Sequence, residues 1–275
     1  MTRTGLLIAL AIAAAVGIVF GLYPKLDILL EQPFVDPSRD PTGLGFWLRL
    51  DTGGLDTVLN RLRDLGRLIV TFTVAPAVIA LAIKIILPRR PMRFPARAAI
   101  LMVYTLLLGP GVLTNLIMKD HWGRPRPVDV TEFGGDQRFV PWWDPRGDCP
   151  ENCSFVAGEP SGAFWTLAAA AVAPPPWRPL AYVAAIAFGS VIGLIRMAGG
   201  GHFFSDVVFA GVFNFLIIWV AHGLLYRWRP TRLTDRTIER HLELLTLPFR
   251  GARPSQATAP PAAASGPHGT TREGE

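Results

Sequence analysis

Three short polar clusters in this chain carry side chains that could bind and attack a phosphate. They are KDHWGRPRP at residues 119–127, GEPSGA at residues 158–163 and RMAGGGHFFSD at residues 196–206. Each cluster adjoins a long apolar run, where charged side chains are costly unless they are partnered or functional. Arginine forks match phosphate oxygens, and free backbone N–H groups at a helix start bind anions. The clusters together therefore predict a phosphate site.

The third cluster contains a candidate nucleophile. His202 and Asp206 are four residues apart, so they share one helical face if a helix begins near His202. The carboxylate could then hold the imidazole in one tautomer and stabilise its positive charge, which would make His202 a nucleophile toward phosphorus. The preceding glycine run at 199–201 would let the backbone approach a phosphate closely. We therefore predict that His202 attacks and that Asp206 supports it.

The other polar residues of the clusters would bind the phosphate. The cations among them are Lys119, Arg124, Arg126 and Arg196. The backbone N–H groups of Ser161 and Gly162 would bind oxyanions at a helix start, with help from the helix dipole. Because the cations could stabilise the developing charge without a metal ion, we predict no metal and no cofactor.

In this order, Lys-x6-Arg-Pro, Pro-Ser-Gly and Arg-x5-His-x3-Asp resemble the three-part signature of the type 2 phosphatidic acid phosphatase family. The resemblance covers residues 98 to about 226. It implies a bundle of about six transmembrane helices and hydrolysis through a phosphohistidine on His202, with Asp206 behind it. It also implies that Ser161 and Gly162 complete an oxyanion cradle. The residues that would grip the phosphate are Lys119, Arg126 and Arg196.

The chain departs from the family pattern at two positions. The family's second motif reads Pro-Ser-Gly-His, and its histidine protonates the leaving group, but the last position here is Ala163. This change is serious, because general acid catalysis contributes about 10²–10⁴ in rate. Glu159 or His121 could supply the proton, the leaving group could depart unassisted, or the protein could be a non-catalytic relative. Glu159 could equally be a structural partner of an active-site arginine. The third motif begins Ile195-Arg196 instead of Ser-Arg, a tolerable change.

A narrower resemblance concerns the substrate. His-Trp-Gly at 121–123 and Gly-Glu-x-Ser at 158–161 are similar to bacterial lipid A phosphatases of the 4′ type. This implies a phosphorylated, lipid A-like lipid as the partner in the bilayer. Phosphatidylglycerophosphate and undecaprenyl pyrophosphate phosphatases share the three-part pattern and are alternatives. A phosphotransferase that passes the phosphate to a second lipid and a non-catalytic binder of lipid phosphates are further alternatives.

Composition and charge distribution favour a multi-pass membrane protein. Of the 275 residues, 50% are hydrophobic, and the mean hydropathy is +0.33. The net charge of +6 fits cytoplasmic arginines better than nucleic-acid binding, because the short loop 88–97 concentrates arginines beside an apolar run. Counting spans from a cytoplasmic start puts the loop 88–97 inside, as its charge demands, and the polar clusters on the periplasmic side of a bacterial inner membrane. The predicted spans are 6–23, 67–87, 98–118, 155–172, 180–195 and 203–226.

The same pattern divides the chain into four parts. Residues 1–97 would form N-terminal helices with a periplasmic loop, and residues 98–229 would form the phosphatase core. Residues 230–250 are typical of an amphipathic segment on the cytoplasmic membrane surface. Residues 251–275 have the composition of a disordered tail.

Two smaller features lie outside the clusters. Residues 56–65 have apolar positions at helical spacing and predict a short surface helix before the second span. Cys149 and Cys153 lie in a polar loop and could form a disulfide if that loop faces an oxidising compartment; otherwise they are two free thiols. The oligomeric state is not indicated by any pattern in the chain.

Overall fold

The structure of this protein is a computed structural model that describes residues 1–35, 55–228 and 233–246. These residues form helices and loops, and none of them belongs to a β-strand, so the predicted all-α fold class is confirmed. In chain order the helices are α1 (Arg3–Leu22), α2 (Lys25–Glu31), α3 (Leu55–Ile86), α4 (Ala96–His121), α5 (Gly158–Phe164), α6 (Leu167–Val172), α7 (Arg178–Ala198), α8 (Phe204–His222) and α9 (Asp235–Thr246). Short 3₁₀ turns at Gln32–Phe34, Pro127–Asp129 and Thr131–Phe133 lie in the loops.

Five helices of the described chain, α1, α3, α4, α7 and α8, are long and apolar enough to cross a membrane. At about 1.5 Å per residue, a helix of about 20 residues matches the hydrocarbon core of roughly 30 Å. Large apolar side chains on their outer faces are open, such as Leu22 (71% exposed) and Phe72 (72% exposed). Such a surface is unfavourable in water and is the expected one against lipid.

The fourth predicted span is present as two short helices, α5 and α6, instead of one long helix. Their residues are mostly buried, because α5 packs against α7 and α8 in the middle of the bundle. Gly189 on α7 allows this close approach, since a Cβ there would collide with the Phe164 ring. At the break, the indole of Trp165 donates to the carbonyl of Met102 at 3.1 Å and to the Thr105 hydroxyl at 3.0 Å. Because α5 and α6 are buried among the other helices, neither has to be long enough to cross the bilayer in contact with lipid.

Helix α4 is distorted in its second half, where Pro110 lies. Residues Leu107–Met118 form a π-helical stretch, which is how the Gly-Pro-Gly sequence at 109–111 disturbs the helix. The Asn115 side chain donates to the carbonyl of Pro110 at 2.7 Å. A second neighbour, Asn214 of α8, lies where a Cβ on Gly109 would be. The distortion widens α4 just before Lys119.

The predicted surface helix at 56–65 is wrong as a separate element, because these residues are the first turns of α3. Only Gly66 interrupts the helical pattern there, and a single glycine costs only about 1 kcal/mol in a helix interior. Gly66 also lies against Ile192 of α7, which leaves little room for a side chain. The continuous helix places Arg63 at the same end of the bundle as Lys119.

Helix α9 docks on the other end of α3 and α4 through ion pairs. Asp235 accepts from the backbone N–H of Arg97 at 2.8 Å and from its guanidinium at 3.2 Å. Lys84 lies 3.8 Å from Glu239. This helix lies within the segment that we predict to be amphipathic and cytoplasmic. Residues 36–54 of the predicted periplasmic loop and the predicted tail 251–275 lie outside the described residues.

Candidate active site

The chemistry-bearing residues lie where helix ends meet at one end of the bundle. They are Arg63 near the start of α3, Lys119 near the end of α4, Gly158 at the start of α5, Arg196 near the end of α7 and His202 just before α8. The charges of Lys119 and Arg196 both act on His202, as does that of Arg126 from the loop after α4. The structure thus brings the three polar clusters together.

His202 is buried, with 2% of its surface exposed, and its ring is held by the backbone. Its Nδ1 lies 2.7 Å from the carbonyl oxygen of Ser154. Because a carbonyl can only accept, Nδ1 carries the proton and Nε2 keeps its lone pair. Burial, followed by the charges of Arg196, Arg126 and Lys119, holds the pKa of His202 well below its ordinary value of 6.5. The imidazole is therefore neutral at neutral pH and can act as a nucleophile through Nε2.

Asp206 does not contact the imidazole, so the predicted direct pair with His202 is corrected. Asp206 lies in the first turn of α8, where its carboxylate turns back and accepts from the N–H of Phe203 at 2.9 Å. It also accepts from the Ser154 hydroxyl and from Arg124. The helix start thus directs the carboxylate away from the ring, because it is needed to cap the free N–H groups. Its link to His202 runs through Ser154.

The prediction that Arg124 binds the phosphate is also corrected, because Arg124 is a buried structural cation. It is 0% exposed, and its guanidinium binds two carboxylates, Asp27 of α2 at 2.7 Å and Asp206. It further donates to the Ser205 hydroxyl at 2.9 Å and to the carbonyl of Val140 at 3.1 Å. These partners leave no face of the guanidinium for a phosphate. Sequence spacing could not reveal Asp27, which lies far from Arg124 along the chain.

Three of the predicted cations face open space at this end of the bundle, Arg126 and Arg196 in one pocket and Lys119 in a neighbouring one. Arg126 and Arg196 line a pocket of about 220 Å³ together with the glycine run 199–201. Arg196 lies against Gly201, where a Cβ would collide with its guanidinium, and its Nε is buried without a hydrogen-bond partner among the described residues. Lys119 donates to the Asn152 side chain at 3.2 Å and lies beside Gly158. An anion in this pocket would meet positive charge from several directions.

The free N–H groups at the start of α5 lie three residues earlier than predicted. The N–H of Ser161 donates to the carbonyl of Ala157 at 2.9 Å inside α5, and its hydroxyl is buried against Thr114 and Asn214. Gly162 is in the second turn of the same helix, where N–H groups are used within the helix. The N–H groups without an intrahelical partner are those of Gly158 and Glu159, because Ala157 caps α5 and Pro160 has no N–H.

Ala163 occupies the sequence position of the family's proton-donating histidine, and it lies in α5. Ala163 packs against Ile192 and Ile195, at the wall of the pocket that Lys119 also lines. Glu159 lies in the first turn of the same helix. Its two carboxylate oxygens accept from Arg63, at 3.0 Å from Nε and 2.6 Å from Nη2. Glu159 therefore places a carboxyl group in the pocket that Ala163 and Lys119 also line.

Arg63 is a site residue that the sequence did not single out. It lines the pocket of about 220 Å³ that contains Arg126 and Arg196. It also lines a second pocket of about 450 Å³ between α3, α4 and α7. This second pocket is apolar toward the middle of the bundle, at Val70 and Phe188, and polar near Lys119 and Glu159. Only the high arginine content near the start of α3 could have drawn attention to Arg63. Arg63 lines both pockets, so its side chain lies between them.

The other predicted residues lie at the margin of the site. His121 is exposed at the end of α4, and its Nδ1 lies 3.0 Å from the carbonyl of Ile117. It lines neither pocket. Cys149 and Cys153 are joined by a disulfide in the loop before α5, and the N–H of Cys153 donates to the carbonyl of Lys119 at 2.9 Å. The disulfide-bonded loop therefore adjoins the end of α4 that carries Lys119.

Known proteins share much of this chain. The PAP2 superfamily profile matches residues 98–232. The chain is 34% identical over 228 residues to a Lipid A 4'-phosphatase from Francisella tularensis subsp. novicida (strain U112), an alignment that spans 82% of this chain and 98% of that protein. It is 37% identical over 117 residues to a Lipid A 4'-phosphatase from Rhizobium leguminosarum, covering 42% of this chain and 50% of that one. No solved structure matches the chain.

Proposed function

The chain belongs to the PAP2 superfamily, and we propose that this bacterial membrane phosphatase removes the 4′-phosphate of lipid A. The substrate is inferred from relatives that bear this name, one of which aligns over nearly its whole length. One structural observation supports the chemistry above others. It is the neutral, buried His202, oriented by Ser154 and placed beside Lys119, Arg126 and Arg196.

In the proposed reaction, Nε2 of His202 attacks the phosphorus in line and a phosphohistidine forms as the sugar oxygen leaves. Water then cleaves the phosphorus–nitrogen bond and releases inorganic phosphate. The non-bridging oxygens would be bound by Lys119, Arg126 and Arg196 and by the N–H groups of Gly158 and Glu159. Such groups stabilise negative charge as it develops, and they are already positioned before the reaction.

We assign the proton transfers to Glu159. As a carboxylic acid it would protonate the departing sugar oxygen, and as a carboxylate it would take the proton of the attacking water, so that the cycle closes. Its ion pair with Arg63 holds the ionised form when no substrate is present. A phosphate group that draws Arg63 toward itself would leave the carboxyl free to take up a proton. The assignment also weakens the case for a non-catalytic protein, which rested on Ala163.

We place the site at the periplasmic face of the inner membrane. The arginines of loop 88–97 lie at the end of α3 and α4 opposite to Lys119, as expected if that loop is cytoplasmic. The disulfide between Cys149 and Cys153 lies on the site's side and fits an oxidising compartment. The apolar second pocket would let the acyl chains remain in the bilayer while the sugar phosphate reaches His202.

Phosphate release in detergent micelles tests this function. Wild-type protein would be compared with His202→Ala on lipid A, on lipid A lacking only the 1-phosphate and on lipid A lacking only the 4′-phosphate. We expect release from the first two, little from the third, and none with the variant. Preference for phosphatidylglycerophosphate or undecaprenyl pyrophosphate over lipid A would overturn the substrate assignment. A phosphorylated second lipid in place of free phosphate would indicate a phosphotransferase.

A further inference from the structure

A further cavity, distinct from the two pockets near the active site, lies at the end of the bundle opposite to His202, between α1, α6, α7 and α8. We call it the groove. Its volume is about 520 Å³, and most of its lining is apolar, as at Ile8, Ile186 and Val212. Along α7 it extends from Arg178 to Ser190, which is about 18 Å at 1.5 Å per residue. That length is close to half of the roughly 30 Å hydrocarbon core. The cavity is therefore one leaflet deep.

Small residues form part of the wall of this groove. Gly5 and Ala9 of α1 face it, and Gly211 lines it from α8. A Cβ at Gly5 would come within 3.4 Å of the Phe215 ring, and one at Gly211 within 3.2 Å of the Phe164 ring. These glycines therefore let the two rings pack closely against α1 and α8 along the wall of the groove.

The end of the groove that lies farthest from His202 is cationic. Arg178 lines it, and Arg227 lies close enough to act electrostatically on the same tyrosine, Tyr182. Among the described residues, both guanidinium groups donate only to backbone carbonyls, Arg178 to Ala173 and Arg227 to Met1 and Trp219. No described carboxylate neutralises either charge, so an anion at this end would find two unpaired cations.

Three polar atoms around these arginines are also buried without a hydrogen-bond partner in the described part of the chain. They are the hydroxyl of Tyr182, Nδ1 of His222 and Nε of Arg227. Buried polar groups are normally satisfied, and three unsatisfied ones beside two unpaired arginines indicate a missing polar ligand. The ligand must be anionic at one end, to match the arginines, and apolar along its length, to match the groove.

We propose that this groove binds an anionic glycerophospholipid of the leaflet opposite to the active site, with its phosphate at Arg178 and Arg227 and one acyl chain beside Ser190 and Gly211. The bound lipid is not a substrate in position to react. Arg178 and Arg196 are about 27 Å apart along α7, so the two phosphate sites lie on opposite sides of the membrane. The lipid would instead stabilise the packing of α1 against α7 and α8.

Native mass spectrometry of the delipidated full-length protein with added phosphatidylglycerol tests this inference. We expect a 1:1 adduct that phosphatidylcholine does not form. Arg178→Gln should weaken it about tenfold, the usual effect of losing a charge-assisted hydrogen bond. Ser190→Phe, which fills the groove and leaves the cations in place, should also weaken it, so the result does not depend on one variant folding.

Two matched controls separate this site from others. Arg196→Gln, at the other end of the same helix, and Arg89→Gln, an exposed arginine of the 88–97 loop, should leave the adduct unchanged. Loss of binding with Arg196→Gln but not with Arg178→Gln would overturn the proposal, because the lipid would then occupy the active site. Equal binding of phosphatidylcholine, or full binding by Ser190→Phe, would also overturn it.

Discussion

Ser154 connects His202 to Asp206: its carbonyl oxygen lies 2.7 Å from Nδ1 of the imidazole, and its hydroxyl donates to the carboxylate. One serine therefore sets both the tautomer of the proposed nucleophile and one contact of the buried ion-pair network. The carboxylate stabilises the loop that carries the histidine, and the histidine itself is held by uncharged backbone. This arrangement keeps the imidazole neutral, which suits a nucleophile.

Arg124 and Arg126 should respond oppositely to the same substitution. Arg124→Gln leaves Asp27 and Asp206 without their cation, so we expect a loss of roughly 3–5 kcal/mol in unfolding free energy. Arg126→Gln, at a half-buried pocket residue that donates to the carbonyl of Asn152, should lower the melting temperature far less and lower kcat/KM about tenfold or more. Thermal unfolding in detergent and steady-state kinetics measure both. An Arg124→Gln protein with normal stability but no activity would show that Arg124 binds substrate after all.

Glu159→Gln should lower the hydrolysis of lipid A by about 10²–10⁴, because the proposed acid is lost. An aryl phosphate, whose leaving group departs without a proton, should be affected far less. A purely structural partner of Arg63 would change both rates together, and that outcome would contradict the acid–base role. Glu151→Gln, an exposed acid in the loop before α5, is the control and should leave both rates unchanged.

The pKa of His202 should lie well below 6.5, because burial and three neighbouring cations oppose its protonation. Labelling the histidines with ¹⁵N and following their signals with pH measures it, with His202→Gln identifying the resonance. We expect Nδ1 to stay protonated and Nε2 unprotonated through neutral and mildly acidic pH. Arg196→Gln removes one of the opposing charges and should move the titration upward. A normal titration near 6.5 in wild type would contradict a buried, neutral nucleophile.

The buried Glu31 should make the free energy of unfolding depend on pH. It is 0% exposed, and burial, together with Asp27 and Asp206, raises its pKa well above 4.5. Between 4.5 and that raised pKa, the folded protein holds a proton that the unfolded chain releases, so stability falls as pH rises through this window. Glu31→Gln should flatten the slope and raise the melting temperature at neutral pH. The exposed Glu132→Gln should keep the wild-type slope; an unchanged slope in Glu31→Gln would contradict the argument.

Motif spacing predicts those site residues that lie at or next to the ends of helices. Lys119, Arg126, Arg196 and His202 were predicted in this way, and they do share one site. The register of the second motif was missed because the sequence Ala-Gly-Glu-Pro-Ser-Gly contains two small-residue–glycine pairs four residues apart. Only burial of Ser161 against Thr114 and Asn214 distinguishes them.

Contacts between distant segments could not be read from the sequence. Arg63 precedes Glu159 by 96 residues and lies outside the superfamily match. Asp27, the second carboxylate on Arg124, precedes it by 97 residues. Both pairs depend on how α2 and α3 pack against the core, and no local periodicity encodes that packing. The buried role of Arg124 depends on the contact with Asp27 as well as on Asp206, and motif spacing indicates neither contact.

Trapping the covalent intermediate tests the central claim most directly. Protein would be mixed with lipid A carrying ³²P at the 4′ position, quenched within the first turnover and digested for peptide mapping. We predict an acid-labile, alkali-stable label on the peptide that contains His202, and no label in His202→Ala. Turnover by a folded His202→Ala protein, or a label on any other residue, would contradict the account.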